Sequence, residues 1–221
     1  MNELTIEFIN FLVRWGHLLF GITWIGMLYY FNFVQGAYFK EGSPEAVSDA
    51  KAKLAPRALW WFRWGAMFTF ITGVILLGSV AHHNGTNFLN DYIVVGATLG
   101  TLMFLNVWLV IWPQQKIVLG LKDGGDPGVA AGKALLASRT NTLFSGPMAF
   151  AMLASPHLGY SGGHLLTQQG GGLGMYLALL LVLLLELNAL MGKQGPMTSV
   201  KGVIHCSVAL TVVVVVLLVC L

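Results

Sequence analysis

The sequence predicts an all-α integral membrane protein, a bundle of six transmembrane helices that forms a single domain over residues 1–221. The first observation behind this prediction is composition: 56% of the residues are hydrophobic, only 10% are charged, and the mean hydropathy is +0.73. A water-soluble domain normally carries about 25% charged residues. The second observation is that the apolar residues fall into six runs, each near the roughly 20 residues that a helix needs to cross a bilayer.

The six predicted spans are separated by polar or glycine-rich loops. They cover approximately residues 15–35, 60–81, 92–112, 138–156, 173–191 and 202–221. An amphipathic stretch over 4–13 precedes the first span and suits a helix that lies in the membrane interface. The fourth span contains Pro147, which bends a helix and frees a backbone carbonyl. Because lipid cannot satisfy that carbonyl, we expect this span to face the bundle interior.

Two short cytoplasmic surface helices are predicted between the spans. Ser43-Pro44-Glu45 has the residues of a helix start, with an N-cap serine, a proline at the first helical position and an acid in the first turn. It predicts a helix over about 44–54. Asp126-Pro127 follows the turn Gly124-Gly125 and predicts the second surface helix. The third span is expected to end at Pro113.

Positive charge is confined to alternate loops. The basic residues of loops one, three and five, with those just beside them, are Lys40, Lys51, Lys53, Arg57, Arg63, Lys116, Lys122, Lys133, Arg139, Lys193 and Lys201. Loops two and four contain no Lys or Arg. The positive-inside rule therefore places loops one, three and five in the cytoplasm and both termini outside, with Arg14 as the exception. The N-terminus lacks a basic signal-peptide region, so the first apolar segment is expected to be retained.

His17 is the first candidate functional residue, because a histidine inside an apolar run is costly without a partner. One helical stripe contains Arg14, His17, Gly21, Trp24 and Leu28. The glycines Gly16, Gly21 and Gly26 are expected to admit either another helix or a flat cofactor close to the backbone. The alternative is that His17 simply hydrogen-bonds a neighbouring helix.

Several histidines are expected at one level near the outer face. They are His17, His82, His83 and His157, from three spans. Convergent neutral imidazoles on facing helices suit a b-type haem, so we predict haem b with iron bound by His17 and by His157 or His82. His157 is favoured because the Pro147 bend directs its helix inward. Arg14 is expected to pair with a haem propionate, and Trp24 lies on the same stripe.

The competing interpretation of His82 and His157 is that each is a solvated residue at the end of a span. His164 and His205 are weaker candidates still. Glu186 is the other unusual residue, a carboxylate in the inner half of a leucine-rich span. It suits a proton path, a cation site or a contact with another subunit. The alternative is a protonated Glu186 that hydrogen-bonds Asn188 or a neighbouring helix.

Several motifs together resemble the N-terminal domain of the membrane-bound bacterial urate oxidases (urate hydroxylases). They are Arg14-Trp15-Gly16-His17, Gly21-Ile22-Thr23-Trp24-Ile25-Gly26, Trp61-Phe62-Arg63-Trp64, Thr72-Gly73, Asn106-Val107, Ile111-Trp112-Pro113-Gln114-Gln115-Lys116, Ser138-Arg139-Thr140-Asn141, Gly146-Pro147 and Ala154-Ser155-Pro156-His157. The resemblance covers roughly residues 10–157. It implies an oxidoreductase of the bacterial inner (cytoplasmic) membrane that acts on urate and passes electrons to cytochrome c.

Two features differ from that family. Its members carry a C-terminal cytochrome c domain, whereas the 221 residues contain no CxxCH haem-attachment motif. The family's fourth helix begins with a His-containing motif, where this sequence has Arg139-Thr140. The first-helix pattern also faintly resembles haem-binding membrane proteins of the copper-resistance D and protoporphyrinogen oxidase type.

The alternative function is a non-catalytic transmembrane subunit of a larger respiratory or oxidase complex. Glu186 and the bare Val- and Leu-rich sixth span suit that role. The expected partners are membrane lipid and either cytochrome c or the subunits of such a complex. Nucleic acid is not expected to bind.

The charge distribution generates a labelling prediction. Cysteine introduced at Ser48 should be shielded from an impermeant thiol reagent in intact cells, whereas cysteine at Gly162 should react, because these loops lie on opposite sides of the membrane. Mass-tag labelling before and after cell lysis measures both. Reaction of the Ser48 variant in intact cells would refute the orientation.

Overall fold

The computed structural model describes residues 3–83, 89–158 and 172–221, and these residues are almost entirely helical. The helices are α1 (Glu3–Tyr29), α2 (Gly36–Glu41), α3 (Pro44–Asp49), α4 (Ala55–His83), α5 (Asp91–Leu105), α6 (Trp112–Val118), α7 (Pro127–Leu158), α8 (Leu173–Met191) and α9 (Val200–Cys220). The π-helical segments Tyr30–Gln35, Ala50–Leu54 and Asn106–Ile111 join α1 to α2, α3 to α4 and α5 to α6. A short 3-10 turn, Gly195–Thr198, precedes α9.

Five helical stretches in the described ranges are long and apolar enough to cross a membrane. They are Leu4–Glu41, Pro44–Ser79, Asp91–Val118, Leu173–Met191 and Val200–Cys220. The all-helical class is thus confirmed, and the count of six spans stays a prediction. The helix outside this set is α7, which contains the predicted fourth span. Its apolar character is interrupted by buried polar residues, namely Arg139, Thr140, Asn141, Thr142 and Ser145.

The prediction of two separate surface helices is wrong. Ser43 does cap α3, and its Oγ accepts a hydrogen bond from the Ala46 amide at 3.3 Å. However, α3 continues through Ala50–Leu54 into α4 without a break. Pro127 does begin a helix, but α7 runs from it to Leu158. After Ser43 the chain continues in helix through the π-helical segment that precedes Pro56, and after Pro127 the helix continues through Gly128 and Gly132 to the alanine- and leucine-rich stretch that follows.

The helix of the third span does not end at Pro113. A proline lacks an N–H and clashes with the carbonyl four residues earlier in an α-helix. In the π-helical segment before it, the Trp112 amide donates to the Val107 carbonyl, five residues back, so the helix enters the proline with a wider turn and continues as α6. The same pattern precedes Pro56, where the Ala55 amide donates to the Ala50 carbonyl.

Helices α1 and α4 form an antiparallel pair in which three contacts recur every seven residues along the seam: Asn10 with Ser79, His17 with Thr72, and Trp24 with Gly65. Phe31 of the following π-helical segment packs on Phe62. The two backbones come close at Gly65, where a Cβ would lie 3.1 Å from the backbone nitrogen of Trp24. Small residues at such a seam let two helices approach closely.

The three α1 glycines predicted to admit another helix or a flat cofactor do not admit another helix within the described residues, and their role toward a cofactor stays a prediction. A Cβ added at Gly26 would meet nothing within 4 Å, and one at Gly16 would meet only the Phe20 side chain of the same helix. At Gly21 the nearest atom would be a Thr69 methyl at 4.0 Å. The glycines that allow the contact are Gly65 and Gly73 of α4. They leave room for Trp24 and His17, the larger residues that α1 contributes to the seam.

Helix α7 lies in the interior, which confirms the prediction from Pro147. It contacts α1, α5, α6, α8 and α9. Against α5 the approach is close at Gly96, where a Cβ would lie 3.2 Å from the Ala151 side chain. Tyr29 of α1 reaches α7 through a 2.8 Å hydrogen bond to Ser145. The interior position of α7 explains why it tolerates polar residues, since neighbouring helices provide their partners.

The α1–α4 seam generates a stability prediction with an internal control. We expect Gly65→Ala to lower the free energy of unfolding by about 1–3 kcal/mol, because the added methyl overpacks a backbone contact. Gly26→Ala should be neutral or stabilising by up to about 1 kcal/mol, since that position is open and alanine favours helix. Thermal unfolding of the purified proteins in one detergent tests the pair. Equal changes in stability for the two variants would contradict a close backbone contact at Gly65.

Candidate functional site

His17 is held against α4 by a specific hydrogen bond. Its Nδ1 lies 3.0 Å from the Thr72 hydroxyl oxygen. Thr72 itself donates to backbone carbonyls of its own helix, with Phe68 at 2.6 Å. Because a hydroxyl has a single proton and Thr72 directs it to a carbonyl of its own helix, its oxygen is left to accept from His17, which favours the tautomer with Nδ1–H. That tautomer leaves the lone pair on Nε2, the state in which histidine binds a metal ion.

The imidazole also packs against the backbone of α4. A Cβ added at Gly73 would lie 3.1 Å from His17 Cε1, so the ring occupies space that only glycine leaves open. The hydrogen bond to a neighbouring helix, one of the two interpretations of His17, is therefore present. It does not exclude the other interpretation, since a metal-binding histidine usually donates its second ring nitrogen to such a partner.

Among the described side chains, the hydrogen-bond partner of His17 is Thr72, and none of Arg14, Trp24 and His157 bonds its ring. Arg14 is exposed one turn earlier on α1, and Trp24 is buried with 2% of its surface exposed. His157 is exposed near the end of α7, and His205 is exposed on α9. His82 lies in the last turn of α4, but its side chain lies outside the described residues, as does His164. Haem ligation by His17 with His157 or His82 stays a prediction.

Glu186 belongs to a buried polar network that joins three helical elements. Its Oε2 accepts a hydrogen bond of 3.0 Å from the Asn106 side-chain amide. The same amide donates to Asn141 Oδ1, also at 3.0 Å. Asn141 in turn donates to the Met103 carbonyl at 2.9 Å. Asn106 begins a π-helical segment, a feature that frequently occurs at functional sites.

The partner of Glu186 lies on a neighbouring helix rather than at Asn188, which donates to the Lys193 carbonyl at 3.1 Å. Glu186 is 9% exposed, and the one hydrogen bond that it accepts comes from a neutral amide. A buried carboxylate in this setting is costly unless it carries a proton or faces a cation. Of the interpretations of Glu186, the hydrogen bond to a neighbouring helix is the one that the structure records, with Asn106 as the partner. A proton path and a cation site stay predictions.

Buried polar atoms without a hydrogen-bond partner mark further functional candidates. They include Nε and Nη1 of both Arg63 and Arg139, Nε1 of both Trp24 and Trp108, Oδ1 of Asn32 and Oε1 of Gln35. In the described ranges neither arginine forms an ion pair. Arg63 stacks on the Trp112 ring, with its guanidinium carbon 3.3 Å from the ring centroid. Arg139 is 8% exposed and has no aromatic partner among the described residues.

The sequence-based reasoning missed Asn32, Gln35 and the burial of Arg139. Asn32 lies in the apolar run of the first span, so the criterion that selected His17 would have selected it too. Its side-chain amide donates to the Leu28 carbonyl at 2.9 Å and to the Ser138 hydroxyl at 2.8 Å. Arg139 was counted as a loop charge at the membrane surface, which hid its position inside the bundle.

Comparison with known proteins identifies one segment of the chain. The family model described as urate oxidase N-terminal matches residues 86–168. No curated protein and no solved structure matches the chain. The resemblance predicted from the sequence is thereby confirmed, and the match contains α5, α6 and α7 with Asn106, Arg139 and Asn141. The motifs of α1 and α4 lie outside the matched residues.

The buried network generates a prediction for Glu186. We expect Glu186→Gln to fold normally, because glutamine keeps an oxygen that accepts from Asn106. Glu186→Lys should destabilise the protein by at least about 3 kcal/mol, since it buries a cation beside an amide donor. Glu45→Lys, the same charge change at an exposed position of α3, is the control. Thermal unfolding and membrane protein levels measure the three variants. A normally stable Lys variant would mean that Glu186 faces water or an acid.

Proposed function

We propose, from the match of residues 86–168 to the urate oxidase N-terminal family, that this protein is a membrane-embedded oxidoreductase that acts on urate. The matched segment includes the most polar part of the helical interior, with Asn106, Arg139 and Asn141 all buried. A reaction site in a bundle is built from such side chains on facing helices. The two electrons taken from urate would leave to an acceptor such as cytochrome c.

The proposed location is the bacterial inner membrane. Support comes from the five apolar stretches and from the charge distribution. One end of the bundle, here called the lysine-rich end, carries Lys40, Lys51, Lys116 and Lys193. Exposed tryptophans lie near it on α4, namely Trp60, Trp61 and Trp64. Tryptophan is enriched at membrane interfaces and lysine in cytoplasmic loops, so this end is assigned to the cytoplasm.

A b-type haem is proposed at the opposite end, with His17 as one axial ligand. A bound haem would supply one-electron chemistry. The chain's own contribution is orientation: Thr72 accepts from Nδ1 and keeps Nε2 unprotonated, and Gly73 leaves room for the ring. Arg14, one turn away and exposed, is available to a propionate. The second ligand is expected from His157 or His82.

One of the two observations that favoured a non-catalytic transmembrane subunit no longer supports it. Glu186 was a candidate contact for another subunit, but its hydrogen bond to Asn106 is made within this chain. The exposed Val and Leu residues of α9 remain, and lipid accounts for them equally well.

The spectrum of the purified protein tests the proposal. A reduced-minus-oxidised difference spectrum should show a b-type haem, and urate alone should produce the reduced form. His17→Ala should abolish the haem signal, whereas His205→Ala and His164→Ala should retain it.

Thr72→Val is the sharper variant, because it removes only the partner of Nδ1. By analogy with other metal sites, we expect it to weaken haem retention by about 10–100-fold. Purification of a stable protein without haem would refute the haem proposal. If haem is present but urate does not reduce it, the proposal of haem as cofactor stands and the proposal of urate as substrate is refuted.

A further inference from the structure

We propose that Arg63 and Lys116 bind the headgroup phosphate of an anionic phospholipid from the leaflet at the lysine-rich end of the bundle. The two cations come from α4 and α6, and the Trp112 ring joins them. Such a site is independent of the proposed oxidoreductase activity, since it concerns the membrane around the chain and not the reaction.

One tryptophan brings the two cations together. The Arg63 guanidinium carbon lies 3.3 Å from the Trp112 ring centroid, and Lys116 Nζ lies 5.7 Å from the same centroid. The next residue of α4 makes a parallel contact, because the Trp64 and Trp108 rings meet edge to face at 5.9 Å. Ring contacts of two consecutive residues therefore fix this part of α4 against the chain around Trp112.

Neither cation is balanced by an acid. The ion pair that the described ranges contain is Lys53 with Asp49, so no carboxylate there lies within ion-pair distance of Arg63 or Lys116. Arg63 Nε and Nη1 are also buried without an acceptor, which leaves the charge incompletely hydrated. Two like charges at one ring repel each other, and an anion that contacts both relieves the repulsion.

A phosphate suits the geometry of this pair. Stacking on Trp112 occupies the face of the guanidinium, whereas its N–H groups lie in the plane and point outward. Nη2, the nitrogen that is not enclosed, offers its N–H groups to a phosphate oxygen, and lysine adds a compact charge. Arg63 and Lys116 are both half-buried, so an anion at the surface can reach both side chains.

The surroundings favour a lipid over free phosphate. Trp60, Trp61 and Trp64 are exposed on α4 beside the site, and tryptophan is enriched where headgroups meet acyl chains. From Trp64 an exposed apolar strip continues on one face of α4 through Phe68 and Ile71, which gives acyl chains a surface next to the headgroup. A zwitterionic headgroup would bring its own ammonium ion to the two cations, so an anionic lipid is the better match.

Native mass spectrometry of the full chain in a mild detergent tests the site, because it resolves each lipid bound to the protein. In a titration, phosphatidylglycerol should bind more tightly than phosphatidylcholine. Arg63→Gln should raise the Kd for phosphatidylglycerol about tenfold, or about 1.4 kcal/mol. Lys116→Gln should raise it several-fold, and Arg63→Lys, which keeps the charge without the planar fork, should give an intermediate value.

Lys51→Gln is the matched control. Lys51 belongs to the same end of the bundle, and its Nζ lies 5.7 Å from the Phe39 ring centroid. Among the described residues no second cation shares that ring, so the Kd for phosphatidylglycerol should stay unchanged.

The site would be overturned if neither Arg63→Gln nor Lys116→Gln weakened the binding of phosphatidylglycerol. An equal loss in Lys51→Gln would also overturn it, because general surface charge would then account for the binding, as would equal binding of phosphatidylcholine. Displacement of the lipid by inorganic phosphate at matched concentration would assign the site to free phosphate and refute the lipid. If Arg63→Gln fails to fold, Arg63→Lys and Lys116→Gln decide the test.

Discussion

The polar side chains of α7 must find partners inside the bundle, and this requirement sets how the other helices are arranged around it. Ser138 meets Asn32, Ser145 meets Tyr29, and Asn141 meets both Asn106 and the Met103 carbonyl. In apolar surroundings a missing partner costs as much as the contact gains, so each pair holds its helices at one register. Without these polar pairs, the Leu- and Val-rich helices could shift along one another at little cost in energy.

Two of the three π-helical segments take part in these contacts in the same way. Each presents a buried asparagine, Asn32 or Asn106, whose amide reaches α7. A π-turn rotates the residues after it relative to the α-helix before it, so one helix can direct apolar groups outward and an amide inward. The third segment, Ala50–Leu54, carries no buried residue and precedes Pro56, which makes it an adjustment to the proline.

His17 and Asn32 lie at different levels of the bundle and bond to different helices. His17 and Asn32 are 15 residues apart on one continuous helical stretch, or about 22 Å at 1.5 Å per residue. His17 depends on α4, through Thr72 and Gly73, whereas Asn32 depends on α7, through Ser138. Separate partners mean that a variant at one level need not disturb the other.

The sequence by itself determined the helical class, the apolar stretches, the helix starts at Ser43 and Pro127, and the family resemblance. The first three follow from composition and from neighbours within one turn, whereas the resemblance rests on short motifs spread over residues 10–157. It also selected His17 and Glu186, because a polar group in an apolar run is visible without a structure. Only the tertiary structure decided that Thr72 holds His17, that Asn106 rather than Asn188 binds Glu186, and that Arg139 is buried without an ion pair in the described ranges. Such pairings depend on how helices distant in sequence align with one another, and the periodicity of a single helix carries no information about that alignment.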